Sequence, residues 1–236
     1  MQVRFVGQDG EGLYGSVAGR HLCDYQHAIE AMNTLTARSP DAADLLLCVE
    51  HPPTITLGRR GGRASIHDTT LQVNEQSHPV AVYEVARGGA VTYHAPGQLV
   101  IYPIVQLPLL EPPIGVGPLG DLGGYVRALE RCIVQCCAHF DLPTITREGF
   151  SGVWINERIK LASIGVGVRR GWTFHGLSLN INPHLEGFDL ITPCALDGVR
   201  MTTMWQQLEE LGRARPSYAD VESDLLTRLS EALVRA

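Results

Sequence analysis

Between Val153 and Ile181 three strand-like segments follow one another with only tight turns between them. Val153-Trp154-Ile155 gives way to Asn156-Glu157, Ile159 to Val168 gives way to Arg169-Arg170-Gly171, and Trp172 to Ile181 then resumes the apolar pattern. Runs bounded by such turn signals read as a small antiparallel meander. Helical patterns lie before and after it, and nowhere does the order show βαβ regularity. The class is therefore α+β, with mixed or antiparallel sheets flanked by helices.

Upstream, Val17, Leu22, Tyr25, Ala28, Ala31 and Met32 recur at helical spacing and predict a helix from about Ser16 to Ala37. Leu45 to Val49 is a short apolar run of the buried-strand type. Thr54 to Leu57, Val80 to Val85 and Leu99 to Ile104 read as further strands, and Pro103 argues that the last is at a sheet edge or a strand end. Residues 107–120, rich in Pro and Gly, read as a loop. A second helix is predicted from Asp121, as N-cap, to Phe140. Tyr125, Leu129, Cys132, Ile133, Cys136 and Phe140 form its apolar face, and Pro143 prevents its continuation. Two helices close the chain. Thr203 begins one, with Gln206 placed for a capping box, and Ser217 begins the other, with Val221, Leu225, Leu229 and Leu233 on one face. No repeat or low-complexity tract divides the 236 residues, and one catalytic domain is expected over residues 1–236.

Composition excludes several roles. A chain 44% hydrophobic and 19% charged is ordinary for a soluble globular protein. Its net charge of -6 lacks the basic surplus of a nucleic-acid binder. No run approaches the ~18 apolar residues of a membrane span, and the first residues lack the apolar stretch of a signal peptide. A cytoplasmic protein without nucleic-acid or membrane partners is expected. Cys23, Cys48, Cys132, Cys136, Cys137 and Cys194 then read as core residues or nucleophiles before disulfides. No CxxC pair supports zinc, and no metal is expected.

Three segments carry candidate chemistry. Arg87-Gly88-Gly89-Ala90-Val91-Thr92-Tyr93-His94-Ala95-Pro96-Gly97-Gln98 lies between apolar strands. Its glycines allow close backbone approach to a ligand, although the same composition also serves a plain turn. Lys160 heads Leu161-Ala162-Ser163-Ile164-Gly165-Val166-Gly167. Flanked by apolar residues, it is either a partly buried cation able to exchange a proton or a side chain snorkelling to water. Cys194, in Ile191-Thr192-Pro193-Cys194-Ala195, follows a proline in a loop, and among the six cysteines its context alone suggests the exposure a nucleophilic thiol needs. Cys132, Cys136, Cys23 and Cys48 read as core. His94 and His175 could join Cys194 as metal ligands, but no HExxH-like spacing supports this; either could serve instead as a base in a Cys–His pair. Gly58-Arg59-Arg60-Gly61-Gly62-Arg63 lacks the Walker pattern and reads as a phosphate-holding or solvated arginine turn.

Taken together, these segments resemble the octanoyltransferase, or lipoyl(octanoyl) transferase, family of lipoate biosynthesis, from about Tyr25 to the last helices. The resemblance is carried by Glu50-His51-Pro52-Pro53-Thr54-Ile55-Thr56-Leu57-Gly58-Arg59, by Arg87 to Ile104, by Lys160 to Gly165, by His175-Gly176-Leu177-Ser178-Leu179-Asn180 and by Pro193-Cys194. It implies a fold shared with biotin protein ligases and lipoate ligases. It implies Cys194 as acyl-accepting nucleophile and Lys160 as its activator; His94 is a candidate helper in proton transfer. The stretches matching the family's substrate-binding segments are Arg87, Gly88, Gly89, Ala90, Val91, Thr92, Tyr93 and His94, then Ser163, Ile164 and Gly165, then Gly176, Leu177 and Ser178. Ala95 and Ala195 stand where the family usually has Gly, which puts a methyl near the implied pocket.

On that resemblance the donor is an octanoyl-acyl carrier protein. The acceptor is a lysine on an apo lipoyl domain of a 2-oxoacid dehydrogenase complex or a glycine cleavage protein. The enzyme is expected to be a monomer without a cofactor. Exchange between thioesters is nearly isoenergetic and amide formation is downhill, so ATP is not needed. Val91, Tyr93, Ile164 and Leu177 are the expected walls of an apolar slot, and N–H groups from Ser163 to Gly165 or near Cys194 the expected oxyanion donors. An ATP-dependent biotin or lipoate ligase, or a non-catalytic acyl- or carrier-binding protein, is the alternative. The pairing of Lys160 with Cys194 favours the transferase.

Overall fold

The computed structural model describes residues 1–5, 22–73, 75–107, 122–193 and 198–233. In chain order the strands are β1 (Gln2–Phe5), β2 (Leu45–Val49), β3 (Thr54–Leu57), β4 (Thr70–Val73), β5 (Gln76–Pro79), β6 (Ala81–Glu84), β7 (Val91–His94), β8 (Gln98–Ile104), β9 (Ile145–Arg147), β10 (Phe150–Trp154), β11 (Ile159–Arg169), β12 (Trp172–Asn180) and β13 (Arg200–Met201). The helices are α1 (Tyr25–Leu35), α2 (Leu122–His139), α3 (Met204–Glu210) and α4 (Tyr218–Ala232).

A large sheet runs in the order β1-β2-β8-β12-β11-β10-β9, with β13 beside β11. Its pairs are antiparallel apart from β1–β2 and β11–β13. Every residue of β2 is buried, because both faces of the sheet are covered. Side chains alternate between faces along a strand. Leu46 and Cys48 pack with α2, α3 and α4 on one face, while Leu45, Leu47 and Val49 meet Ala28, Met32 and Leu35 of α1 on the other. A two-sided burial removes the polar alternation and leaves a continuous apolar run. Val221, Leu225, Leu229 and Leu233 of the last helix all enter the first core, and each such side chain stabilises by about 1.5–3 kcal/mol when fully buried. A smaller sheet, β6-β3-β7, closes over Ile55, Leu57, Tyr93 and Phe188 in a separate cluster.

The turn chemistry follows the residues. Arg170 and Gly171, both at positive φ, join β11 to β12 as the two central residues of a tight hairpin. Thr203 and Ser217 cap α3 and α4 through their hydroxyls. The capping box is half made: Thr203 accepts from the Gln206 N–H, but the Gln206 amide turns to Thr202 and Glu210.

Other expectations need correction. The first helix begins at Tyr25, capped by the Asp24 carboxylate, and residues 22–24 are not helical; residues 16–21 of the expected span lie outside the described residues. The Asp121 cap and residues 108–120 of the loop also lie outside them. α2 does not wait for Pro143. It stops at His139, where Asp141 turns left-handed and the N–H groups of Asp141 and Leu142 bond back to Ala138 and Cys137, the bonding of a Schellman end. Pro103 lies next to the end of its strand, one of the two places expected for it, but that strand is central and not an edge. It is tolerated because β12 pairs with β8 only over Gln98 to Ile101, so the missing N–H falls beyond that ladder. The Arg87–Gln98 segment is not all connection, since Val91–His94 is a strand.

Candidate active site

A cavity of about 270 Å³ opens where the small sheet meets the large one. β7 and the turn before it contribute Arg87, Gly89, Ala90, Val91, Thr92 and His94. β11 contributes Lys160, Ser163, Ile164 and Gly165, and β12 contributes His175, Gly176, Leu177 and Ser178. The motifs therefore come together from separate parts of the chain. Gly88 and Tyr93 are not among the lining residues. Gly88 holds the turn to β11 through its N–H to the Val166 carbonyl at 2.8 Å. Tyr93 points into the small-sheet core against Phe188, so of the expected slot walls Val91, Ile164 and Leu177 serve and Tyr93 does not. Tyr25, Arg60, Val100, Tyr102, Gly149, Phe150 and Ser151 also line the cavity. Their approach is a product of tertiary packing: Arg60 lay in the arginine turn and Val100 and Tyr102 in the Arg87–Ile104 block, while no local pattern marked Tyr25, Gly149, Phe150 or Ser151 as site residues. Gly165 makes the close fit possible: a Cβ there would lie 2.9 Å from both Arg87 Cδ and the Gly88 carbonyl oxygen.

Lys160 is buried in the cavity wall. Its Nζ donates to the Ser151 carbonyl at 2.9 Å and sits 4.8 Å from the centre of the Trp154 ring. Gly152 makes room for it and donates its N–H to Glu130 Oε1 on α2 at 2.9 Å. Burial pushes the Glu130 carboxyl up from its ordinary range. Arg87 is the other buried cation. It donates to the Thr56 carbonyl at 2.9 Å, the Thr56 hydroxyl at 2.7 Å and the Gly88 carbonyl at 3.0 Å.

Beside these cations lies a cluster of neutral rings. Tyr25 lies 4.8 Å from His51 and 5.6 Å from His94 by ring centre. Burial lowers His51 to about 4 and His175 to about 3, and holds His94 well below 6.5 with help from the neighbouring positive groups. The three imidazoles are neutral at pH 7. His51 donates from Nδ1 to the Cys23 carbonyl at 2.7 Å, so Nε2 accepts from the Tyr102 hydroxyl at 2.8 Å. Among the described residues no group of three or more His, Cys, Asp or Glu is arranged to hold a metal.

The five described cysteines are buried thiols, and none lines the cavity. Burial pushes Cys23 and Cys132 up to about 11 and Cys137 to about 12, and raises Cys136 further. Such thiols are poor nucleophiles at neutral pH. Cys194 lies outside the described residues. The chain around it is placed on both sides: Thr192 donates its N–H to the Ser65 carbonyl, and β13 pairs in register with Ile159 and Lys160.

Fold and site together define a class. Residues 24–230 match the lipoyl protein ligase A/B catalytic domain. The fold overlays a T. acidophilum protein described as a lipoate protein ligase, solved with bound lipoic acid, with a TM-score of 0.65 over 98% of this chain and 86% of that one at 12% identity. Lipoate-protein ligase A bound with ATP overlays with a TM-score of 0.63 over 98% and 85% at 11% identity. At sequence level the chain is 40% identical to an octanoyltransferase of Chloroflexus aurantiacus over 80% of this chain and 79% of that one. It is 38% identical to an octanoyltransferase of Alkalilimnicola ehrlichii over 89% and 88%. The chain belongs to the octanoyltransferase family, within the lipoyl protein ligase A/B catalytic domains. It is an acyltransferase.

Proposed function

We propose that the cavity holds an octanoyl chain while Cys194 takes it from an acyl carrier protein and passes it to a lysine of an apo lipoyl domain. The reaction is octanoyl transfer in lipoate biosynthesis, and the chain works as one catalytic domain. The observation that carries the site reading is Lys160, buried in the cavity wall and paired with β13, the strand that follows Cys194 in the chain. If a cavity of ~150 Å³ admits benzene, eight carbons need roughly 200 Å³, which fits the available space. Burying six methylenes contributes about 5 kcal/mol at ~0.8 kcal/mol each.

In the first step the Cys194 thiolate attacks the donor thioester carbonyl, and the pantetheine sulfur leaves and is protonated. Lys160 supplies the positive charge that favours thiolate and gives a proton to the departing pantetheine sulfur, which leaves its amine neutral for the second step. In the second step the target lysine sheds a proton and its nitrogen attacks the new thioester, and the Cys194 sulfur leaves. Neutral His94 and Lys160 are the groups placed to handle that proton. N–H groups of Ser163 to Gly165 stabilise the oxyanion, each such donor worth ~3 kcal/mol. The partners are octanoyl-acyl carrier protein and lipoyl domains of 2-oxoacid dehydrogenase complexes or the glycine cleavage protein, met in the cytoplasm by a monomer. No helix among the described residues is long and apolar enough to cross a membrane.

Intact-mass measurement after mixing with octanoyl-carrier protein, in nucleotide-free buffer, tests this. One octanoyl adduct is expected on the wild type and on Cys132→Ala, and none on folded Cys194→Ala. Lys160→Ala slows loading, and Lys160→Arg restores it only in part. Dependence on ATP with free octanoate as donor would support the ligase chemistry instead.

A further inference from the structure

His94 ends β7 and Gln98 begins β8, and the turn between them brings His94 Nδ1 to 2.7 Å from Gln98 Oε1. Which atom carries the hydrogen is decided farther along. Asn180 Nδ2 donates to the Thr202 carbonyl at 3.0 Å. A carbonyl only accepts, so the Asn180 amide has one orientation, with Oδ1 toward Gln98. Gln98 Nε2 donates to that Oδ1 at 2.8 Å and to the Tyr93 carbonyl at 3.3 Å. Gln98 must then present Oε1 to His94, and Nδ1 must be the N–H. Two backbone carbonyls anchor the orientation, so it does not depend on a free choice of amide flip. His94, Gln98 and Asn180 are all buried, and reversing either amide would leave facing donors or facing acceptors where water does not compensate. The Thr202 N–H also donates to the Lys160 carbonyl at 3.0 Å, tying the chain of amides to the strand that carries the lysine. His94 lines the cavity, burial keeps its ring neutral, and Nε2 makes no hydrogen bond among the described residues.

We propose that Gln98 and Asn180 are positioning residues that fix the His94 proton on Nδ1, making Nε2 the acceptor for the proton shed by the target lysine. The catalytic part of this proposal rests on the role given to His94 above. The ammonium N–H bond breaks with its electron pair left on nitrogen, and the proton binds the Nε2 lone pair. The amine then forms the C–N bond to the acyl carbon. The C–S bond breaks with its pair on sulfur, the adduct's surplus proton passes to that sulfur, and the imidazolium returns its proton to solvent. The opposite tautomer would offer Nε2–H, a donor, to an ammonium that has only donors.

The test uses enzyme with 15N-labelled histidine and long-range 1H–15N correlation, with the His94 signals assigned by their loss in His94→Gln. The wild type should show protonated Nδ1 and unprotonated Nε2. Gln98→Met, of similar length but without an amide, should lose that signature. It should also slow transfer to lipoyl-domain lysine by about 10- to 100-fold, below the ~10²–10⁴-fold that a general acid–base group contributes in full, because the imidazole itself is kept. KM for octanoyl-carrier protein should change by less than about two-fold. Gln98→Glu keeps an acceptor and should retain Nδ1–H. Should Gln98→Met fail to fold, Asn180→Leu releases one anchor of the Gln98 amide and should give mixed tautomers. An unchanged Nδ1–H signature in the folded Met or Leu variant overturns the relay. A lost signature with transfer at the wild-type rate overturns the role of His94 as proton acceptor, while leaving the tautomer assignment intact.

Discussion

Replacing Gly152 by alanine should disturb stability and the position of Lys160 together. Gly152 adopts φ +117, where a side chain is strained by about 1–3 kcal/mol. Its new Cβ would overlap the Ala162 carbonyl oxygen and lie 2.7 Å from Lys160 Cε and 3.1 Å from Nζ. Ala162 is held by the pairing of β10 with β11, so the lysine side chain is the part able to move, away from the Ser151 carbonyl. Overpacking of this kind costs about 1–3 kcal/mol, and the two effects together give about 2–6 kcal/mol. A chain of this size loses ~2–4 °C per kcal/mol, so Tm should fall by about 4–24 °C. Gly212→Ala is the control, because φ there is +67 but a Cβ meets nothing within 4 Å; it reports strain alone. Scanning calorimetry should show the larger loss for Gly152→Ala, and single-turnover mass spectrometry at a temperature where both variants are folded should show slower acyl loading only for Gly152→Ala. A Tm loss no greater than the control's, with loading at the wild-type rate, would refute the view that this glycine holds the lysine in place.

The buried histidines set a pH dependence of stability. His51 at about 4, His175 at about 3 and His94 well below 6.5 bind protons less readily in the fold than in the unfolded chain. Stability is therefore full above about pH 6.5 and lost as pH falls toward 4, by ~1.4 kcal/mol per pH unit for each histidine. Denaturant titrations at pH 7, 6 and 5 should show this loss, and His51→Gln should flatten it; the same slope in the variant would contradict the assignment. In the arginine turn, of which Arg60 lines the cavity, Arg59→Glu with Arg60→Glu should raise KM for the acidic carrier protein more than it lowers kcat, and should weaken the salt dependence of KM. Arg63 is less suited to that role because it pairs with Glu84 at 3.0 Å. Unaltered KM and salt response would make both arginines plain surface charge.

Much of this protein was legible from local chemistry. Apolar runs with turn signals gave β2, β3, β8 and the β10–β12 meander, and hydroxyl residues before periodic segments marked the starts of α3 and α4. The family motifs pointed to Arg87, His94, Lys160 and Cys194. Asp24 is of a residue type that caps helices, but the apolar periodicity of residues 16–37 runs through it and hides the boundary. Other features depend on distant neighbours. A period of two tells that Val91 and Tyr93 share a face, and both do join the core with Phe188, but not that Val91 also lines the cavity while Tyr93 does not. Pro103 could be central only because β12 ends its ladder at Ile101, a property of the neighbouring strand. The Gln98–Asn180 amides, the Glu130–Gly152 bond and the entry of Tyr25 and Phe150 into the cavity join residues far apart in the chain. Propensity and periodicity act over a few residues, so the sequence by itself determined the elements and the reactive residue types. The packing of two sheets and a helix decided which of those residues face one another, because burial and hydrogen-bond orientation are set by all the neighbours at once.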